Sequence, residues 1–156
     1  MNRRMIFTTL ALVAVVAARS VAAQGNVTGQ WMFEYNRRVS NINGELTESD
    51  PVRVRLTLEQ RGDSVTGSWL QVSPVDDPMP MPRALRGLAA NGNVRLVSEP
   101  SEGRVQDGGG ERKVSMTTTL EFSVNGDELV GTRKVTAAEG EMVGDGRPFK
   151  AVREKR

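Results

Sequence analysis

Few residues in this chain could do chemistry, because its 156 residues include neither histidine nor cysteine. The usual general base, the thiol nucleophile and the commonest metal ligands are therefore missing. So is the histidine that most often holds haem iron. Carboxylates remain. Asp76-Asp77 lies in a proline-rich stretch, and adjacency alone does not make an acid–base pair. Asp107-Gly108-Gly109-Gly110-Glu111 lacks the alternating oxygen ligands of a calcium loop and reads as a flexible connection. The expectation is a protein that is not an enzyme, with no catalytic residue, no metal and no cofactor.

What is left is recognition chemistry, carried by Trp, Tyr and Arg. A pentapeptide occurs twice, as Val27-Thr28-Gly29-Gln30-Trp31 and Val65-Thr66-Gly67-Ser68-Trp69. At a period of two, Trp31, Phe33 and Tyr35 share one face, and Val65, Gly67 and Trp69 share another. A longer echo aligns Leu56–Trp69 with Leu120–Arg133 without gaps, so Arg133 stands where the first copy has Trp69. A guanidinium on an otherwise apolar face must be paired. Its partner would be an inward acid or the carboxylate of a ligand. The alternative is a rotated strand, with Val130 and Thr132 inward and Arg133 in solvent. On this reading Tyr35, Val54, Trp69, Gln71, Thr118 and Arg133 are the candidate ligand-binding residues. Arg53 and Met79-Pro80-Met81 would form an adaptable rim, or else a plain solvent-exposed loop.

The elements that position these residues are strands. Val52, Val54, Leu56 and Leu58 alternate with Arg53, Arg55, Thr57 and Glu59, giving one aliphatic and one polar face. The same test predicts strands near 27–36, 51–60, 64–72, 83–90, 93–99, 114–124, 128–136 and 147–154, and no helix after residue 24. Arg61-Gly62-Asp63, Asn91-Gly92-Asn93 and Asn125-Gly126-Asp127 are tight-turn sequences. Between them lie long connections at about 37–50, 73–82, 100–113 and 137–146. Successive connections of an antiparallel meander fall at opposite ends, so all tight turns gather at one end and all long connections at the other. The fold class expected is all-β, an eight-stranded antiparallel up-and-down β-barrel with one closed end and one mouth. Inward positions include Leu56, Leu85, Leu96, Leu120, Phe122, Leu129, Phe149, Ala151 and Arg153, with the candidates above.

Residues 1–23 read as a cleaved signal peptide: Asn2-Arg3-Arg4, an apolar run, then Val21-Ala22-Ala23 before Gln24. The Arg pair loosely fits a twin-arginine signal, but an ordinary Sec signal is the better reading. Cleavage removes Arg3, Arg4 and Arg19 and no acid, turning a formal charge of +2 into 18 basic against 19 acidic groups. No basic stripe interleaved with aromatics remains, so nucleic acid is not an expected partner. No stable membrane span is expected after cleavage. Residues 24–156 suffice for one barrel domain with a real core. Export without any cysteine suits a bacterial periplasm or secretion. Asn26-Val27-Thr28 matches a glycosylation acceptor and would be idle there.

Gly29-x-Trp31 on the first strand, eight strands, and Phe149-Lys150-Ala151-Val152-Arg153 on the last resemble the calycin group, the lipocalin-like and avidin-like barrels. The resemblance implies that a late-strand Arg lies over the first-strand Trp, so Gly29, Trp31 and Arg153 would seal the closed end. Length and the Gly-Asp-x-Val-x-Gly-x-Trp hairpin are more similar to avidin than to a full lipocalin. Trp69 falls where an avidin-like barrel has an aromatic pocket residue. The tryptophans of later strands are missing, so biotin is not the expected ligand.

Two functions follow. The first is an exported barrel that binds or carries a small, partly apolar molecule, hydrophobic or amphipathic, through its mouth. The second is a barrel filled by side chains that meets a protein or envelope partner through its long loops. Homo-oligomers through strand faces are left open.

Overall fold

The computed structural model describes residues 25–40, 46–73, 81–107, 110–138 and 142–155. The expected signal segment, Asp76-Asp77 and Met79-Pro80 lie outside them. Nine strands follow in order: β1 (Gly29–Ser40), β2 (Leu46–Arg61), β3 (Ser64–Ser73), β4 (Arg83–Ala90), β5 (Asn93–Ser98), β6 (Ser101–Asp107), β7 (Gly110–Asn125), β8 (Glu128–Ala137) and β9 (Met142–Arg153). Each pairs antiparallel with its neighbours in the order β5-β4-β3-β2-β1-β9-β8-β7-β6, and β5 also pairs with β7.

That extra pairing closes the sheet. Asn93–Val97 lie against Ser123–Thr119, and Ser101–Asp107 continue along the same strand against Met116–Gly110. β5 and β6 are thus two halves of one long strand, bent at Ser98–Pro100. The bend is held by Ser98, whose Oγ accepts from the Thr118 N–H at 2.9 Å and donates to the Glu99 carbonyl at 3.0 Å. The result is a closed, eight-stranded antiparallel barrel, as the alternation predicts.

The tight turns gather at one end. Gly62, Asn91, Gly92 and Gly126 all take φ between 52° and 80°, the left-handed region that short hairpins demand. The opposite end differs from the expectation. Much of the segments read as long loops is strand: β1 runs to Ser40, β2 starts at Leu46, β6 and β7 span 101–107 and from 110, and β9 starts at Met142. These are hairpin ribbons prolonging the barrel strands. Their sequences mix glycine, charged, polar and isolated apolar residues without a sustained period-two pattern, so the cross-strand pairing is what marks them as strand.

The core lies inside the barrel. Trp31, Val54, Leu56, Val65, Leu96, Leu120, Leu129 and Ala151 are fully buried, and Phe33, Val52, Leu58, Leu85, Phe122 and Phe149 nearly so. Leu129 is inward, whereas Val130 is 46% exposed, so β8 is not rotated and Arg133 shares the inner face. At Gly131 a Cβ would overlap the carbonyl oxygen of Glu121 on β7, so only glycine lets β8 press this closely against its neighbour. The outer face carries cross-strand ion pairs such as Arg53–Glu34 and Lys150–Glu128, each worth about 0–1 kcal/mol.

Candidate functional site

Each end of the barrel holds an arginine over an aromatic ring. At the closed end Arg153 lies 4.0 Å from the centre of the Trp31 ring. Its Nη1 donates to the Thr28 carbonyl at 2.7 Å and its Nη2 to the Asn26 carbonyl at 3.1 Å, while Nε sits 3.3 Å from Asp127. Gly29 makes room: a Cβ there would stand 2.7 Å from Arg153 Nη1, and its φ of +143° excludes most side chains. The Trp31 indole donates to the Val27 carbonyl at 2.9 Å. Val27 is itself fully buried, and its N–H reaches Gln60 Oε1 at 3.2 Å. Residues 25–28 therefore form a plug, and Arg153 ties it to the last strand.

The plug also fixes the β1–β9 seam. Trp31 and Met32 pair with Arg153 and Val152, the Glu154 N–H reaches the Gln30 carbonyl at 2.8 Å, and Arg55 of β2 clasps Glu154 at 2.8 and 3.4 Å. Among the described residues this register runs no further toward the mouth. Beyond it the two strands stay near each other without ladder pairing, linked by the Phe33–Phe149 ring contact and the Arg147–Asn36 hydrogen bond.

At the mouth, the unpaired stretch of this seam borders a cleft of about 480 Å³, bounded in part by Phe33, Tyr35, Arg133, Arg147 and Phe149. The Arg133 guanidinium lies 4.3 Å from the centre of the Tyr35 ring and 5.7 Å from that of Trp69. Arg147 faces Arg133 directly across the β8–β9 pair and donates from Nη1 to the Asn36 carbonyl at 3.0 Å, bridging the open seam. Beneath them aromatic rings span the lumen. Phe33 meets Trp69 edge-on at 5.3 Å and Phe149 at 5.2 Å, and Phe149 meets Phe122 at 5.9 Å. The site thus has an aromatic floor and two cationic groups at its lip.

Of the six candidate ligand residues, the structure brings Tyr35, Trp69 and Arg133 together. Val54 is fully buried opposite Phe33 and Gln71 in the sheet register, so it belongs to the packed core. Gln71 is half-buried one register step toward the mouth from Trp69. Thr118 is buried at the bend between β5 and β6, where its backbone N–H holds Ser98. Arg53 faces outward in its pair with Glu34. Met81 is 81% exposed. Arg147 was missed by the sequence reading, although it shares the alternation of Phe149, Ala151 and Arg153 and could have been found there.

Further clefts among the described residues lie outside the barrel, two of them as follows. One of about 520 Å³ at the closed end is bordered by Arg55, Arg153 and Glu154, all committed to the contacts above. The other, about 550 Å³ on the outer face, runs past Leu88, Ala90 and Val130. Among the described residues no three Asp or Glu side chains converge as metal ligands would. No helix of the described residues is long and apolar enough to cross a membrane. No protein-family model, curated protein or solved structure matches the chain.

Proposed function

We propose that this chain is an exported, calycin-like binding protein, not an enzyme, that takes a small, partly apolar molecule into the cleft at its mouth. One observation carries the reading: where the β1–β9 ladder stops, a cleft lies over aromatic rings, beside Arg133 stacked on Tyr35. A volume of about 480 Å³ falls in the range of small-molecule sites, which pair apolar walls with a few oriented polar groups. The periplasm or the extracellular space of a bacterium is the compartment this reading assigns, on the strength of residues 1–23.

A second reading has its own support. The ring contacts across the lumen leave the barrel centre packed, and the ribbons at the mouth extend well past it. A barrel of this kind would act through those ribbons on a protein or envelope partner.

Native mass spectrometry separates the two. The full-length chain is expressed in a bacterium, recovered from the envelope without denaturant and sprayed intact. A reproducible small-molecule adduct, displaced on unfolding, is the result expected of the binding protein. Bare protein from several preparations would sink that reading and favour the packed barrel.

A further inference from the structure

We propose that this protein pairs with a second copy of itself through the outer face of β4, β5, β7 and β8. The contact is isologous and centred on the line Ala89–Val94–Phe122–Gly131.

Those four residues are ladder partners across four neighbouring strands, and Ala89, Val94 and Phe122 are buried on the inner face. Outside, the line is flanked by two rows of outward side chains. One row carries Leu88, Arg95, Glu121 and Thr132. The other carries Ala90, Asn93, Ser123 and Val130. On β4, β5 and β7 the first row is long and the second short, and on β8 the two are matched in size. The outer cleft of about 550 Å³ is lined by both rows and by Val94, Phe122 and Gly131 between them, so it is centred on the same line. Leu88 is 63% exposed and Val130 46%, which puts two large aliphatic side chains in water beside it.

A two-fold axis lying in this face along the line brings each row onto the other row of the second copy. Leu88 then covers Ala90, Arg95 covers Asn93 and Glu121 covers Ser123, long against short, and each contact occurs twice. Val130 meets Thr132 in the same way. Space over the short row is filled by the long row of the second copy.

Charge selects the same axis. The outward residues of β8 are Glu128, Val130, Thr132 and Lys134, placed evenly about Gly131. Antiparallel apposition therefore sets Glu128 of each copy against Lys134 of the other. Within one chain Glu128 reaches Lys150 at 2.6 Å and Lys134 reaches Glu121 at 3.4 Å, so the second copy extends two existing pairs into a network. An axis running along the strands between β5 and β7 fails this test. It would set Arg86 against Lys134, which stand at the two ends of the next row, Arg86–Val97–Thr119–Lys134. Like charges facing each other oppose association. With the axis across the strands, the two barrels run antiparallel and their mouths open in opposite directions, free of the contact.

Sedimentation equilibrium on the full-length chain, recovered without denaturant, tests the pairing from about 1 µM to about 1 mM. A reversible monomer–dimer equilibrium is expected. Glu128→Lys and Lys134→Glu should each weaken it at least about tenfold, because each variant sets two like-charge contacts in its own dimer. Mixed in equal amounts, the two variants should dimerise about as well as the wild type, since every contact in the mixed dimer joins opposite charges. Leu88→Asp should also weaken the dimer, and Glu102→Gln on β6, away from this face, should not. Melting curves check that each variant folds, and Leu88→Asp decides alone if a charge variant does not. A monomer at every concentration would overturn the proposal. So would a dimer indifferent to Leu88→Asp, or a mixture of the charge variants that associates no better than either alone.

Discussion

The two ends of this barrel use the same pair of residue types to opposite effect. Arg153 over Trp31 and Arg133 over Tyr35 have nearly the same ring distance, 4.0 and 4.3 Å. The difference is in what surrounds each guanidinium. At the closed end the chain entry, Val27 and the Glu154–Arg55 clasp wrap around the stack, and the neighbouring strands are paired. At the mouth the β1–β9 ladder has stopped, and the Arg133 guanidinium lies near a second ring, Trp69, with Arg147 opposite it in the β8–β9 register. A cation over an aromatic ring therefore names no role by itself. Its place in the barrel, under a wrapped chain entry or beside a cleft, is what separates the two ends.

If the ends differ in this way, damage at each should show in different measurements. Trp31→Ala removes a fully buried indole and should cost about 3–5 kcal/mol in urea unfolding. Arg153→Ala loses the cation–ring contact and the hydrogen bonds to the plug, for about 2 kcal/mol, with ligand affinity nearly unchanged. An unaltered melting temperature in that variant would break the comparison from the structural side. Arg133→Gln should cost about 1 kcal/mol or less of stability and abolish the small-molecule adduct in native mass spectrometry, the reverse pattern. The smallest effect is expected from Val130→Ala, within about 0.5 kcal/mol, whereas Leu129→Ala next to it should cost about 2–5 kcal/mol. Similar costs for those two would mean that β8 is turned, and Arg133 with it.

Those predictions lean on features of unequal legibility. The lower barrel could be read from alternation because one face of each strand is buried: Val52, Val54, Leu56 and Leu58 are inward, and Arg53 and Thr57 are exposed. Its turns could be read because Gly62, Asn91 and Gly126 supply positive φ. The upper ribbons could not, since the half-buried positions flanking Arg104 and Lys113 include Gly103 and Arg112, so their alternation in burial is not written as apolar against polar residues. The same split runs through the candidate site. Trp69, Tyr35 and Arg133 were identifiable from their faces and the internal echo. Arg147 could have been found from the alternation of Phe149 and Ala151, but the interrupted seam could not, because it depends on which strands meet as the sheet closes, and a single strand pattern carries no such information. Val54 and Thr118 were taken as wall residues for their inward faces, but packing and the Ser98 bend occupy them.

The measurement closest to the central claim uses the two tryptophans, one toward each end of the barrel. In a ¹H–¹⁵N spectrum of the labelled protein each gives one indole N–H signal. Titration with a small amphipathic aromatic probe, 1-naphthylacetate, should move the Trp69 signal in a saturable way and leave Trp31 in place. Movement of Trp31 alone, or of neither, would contradict an account in which the closed end is a seal and the mouth is the site.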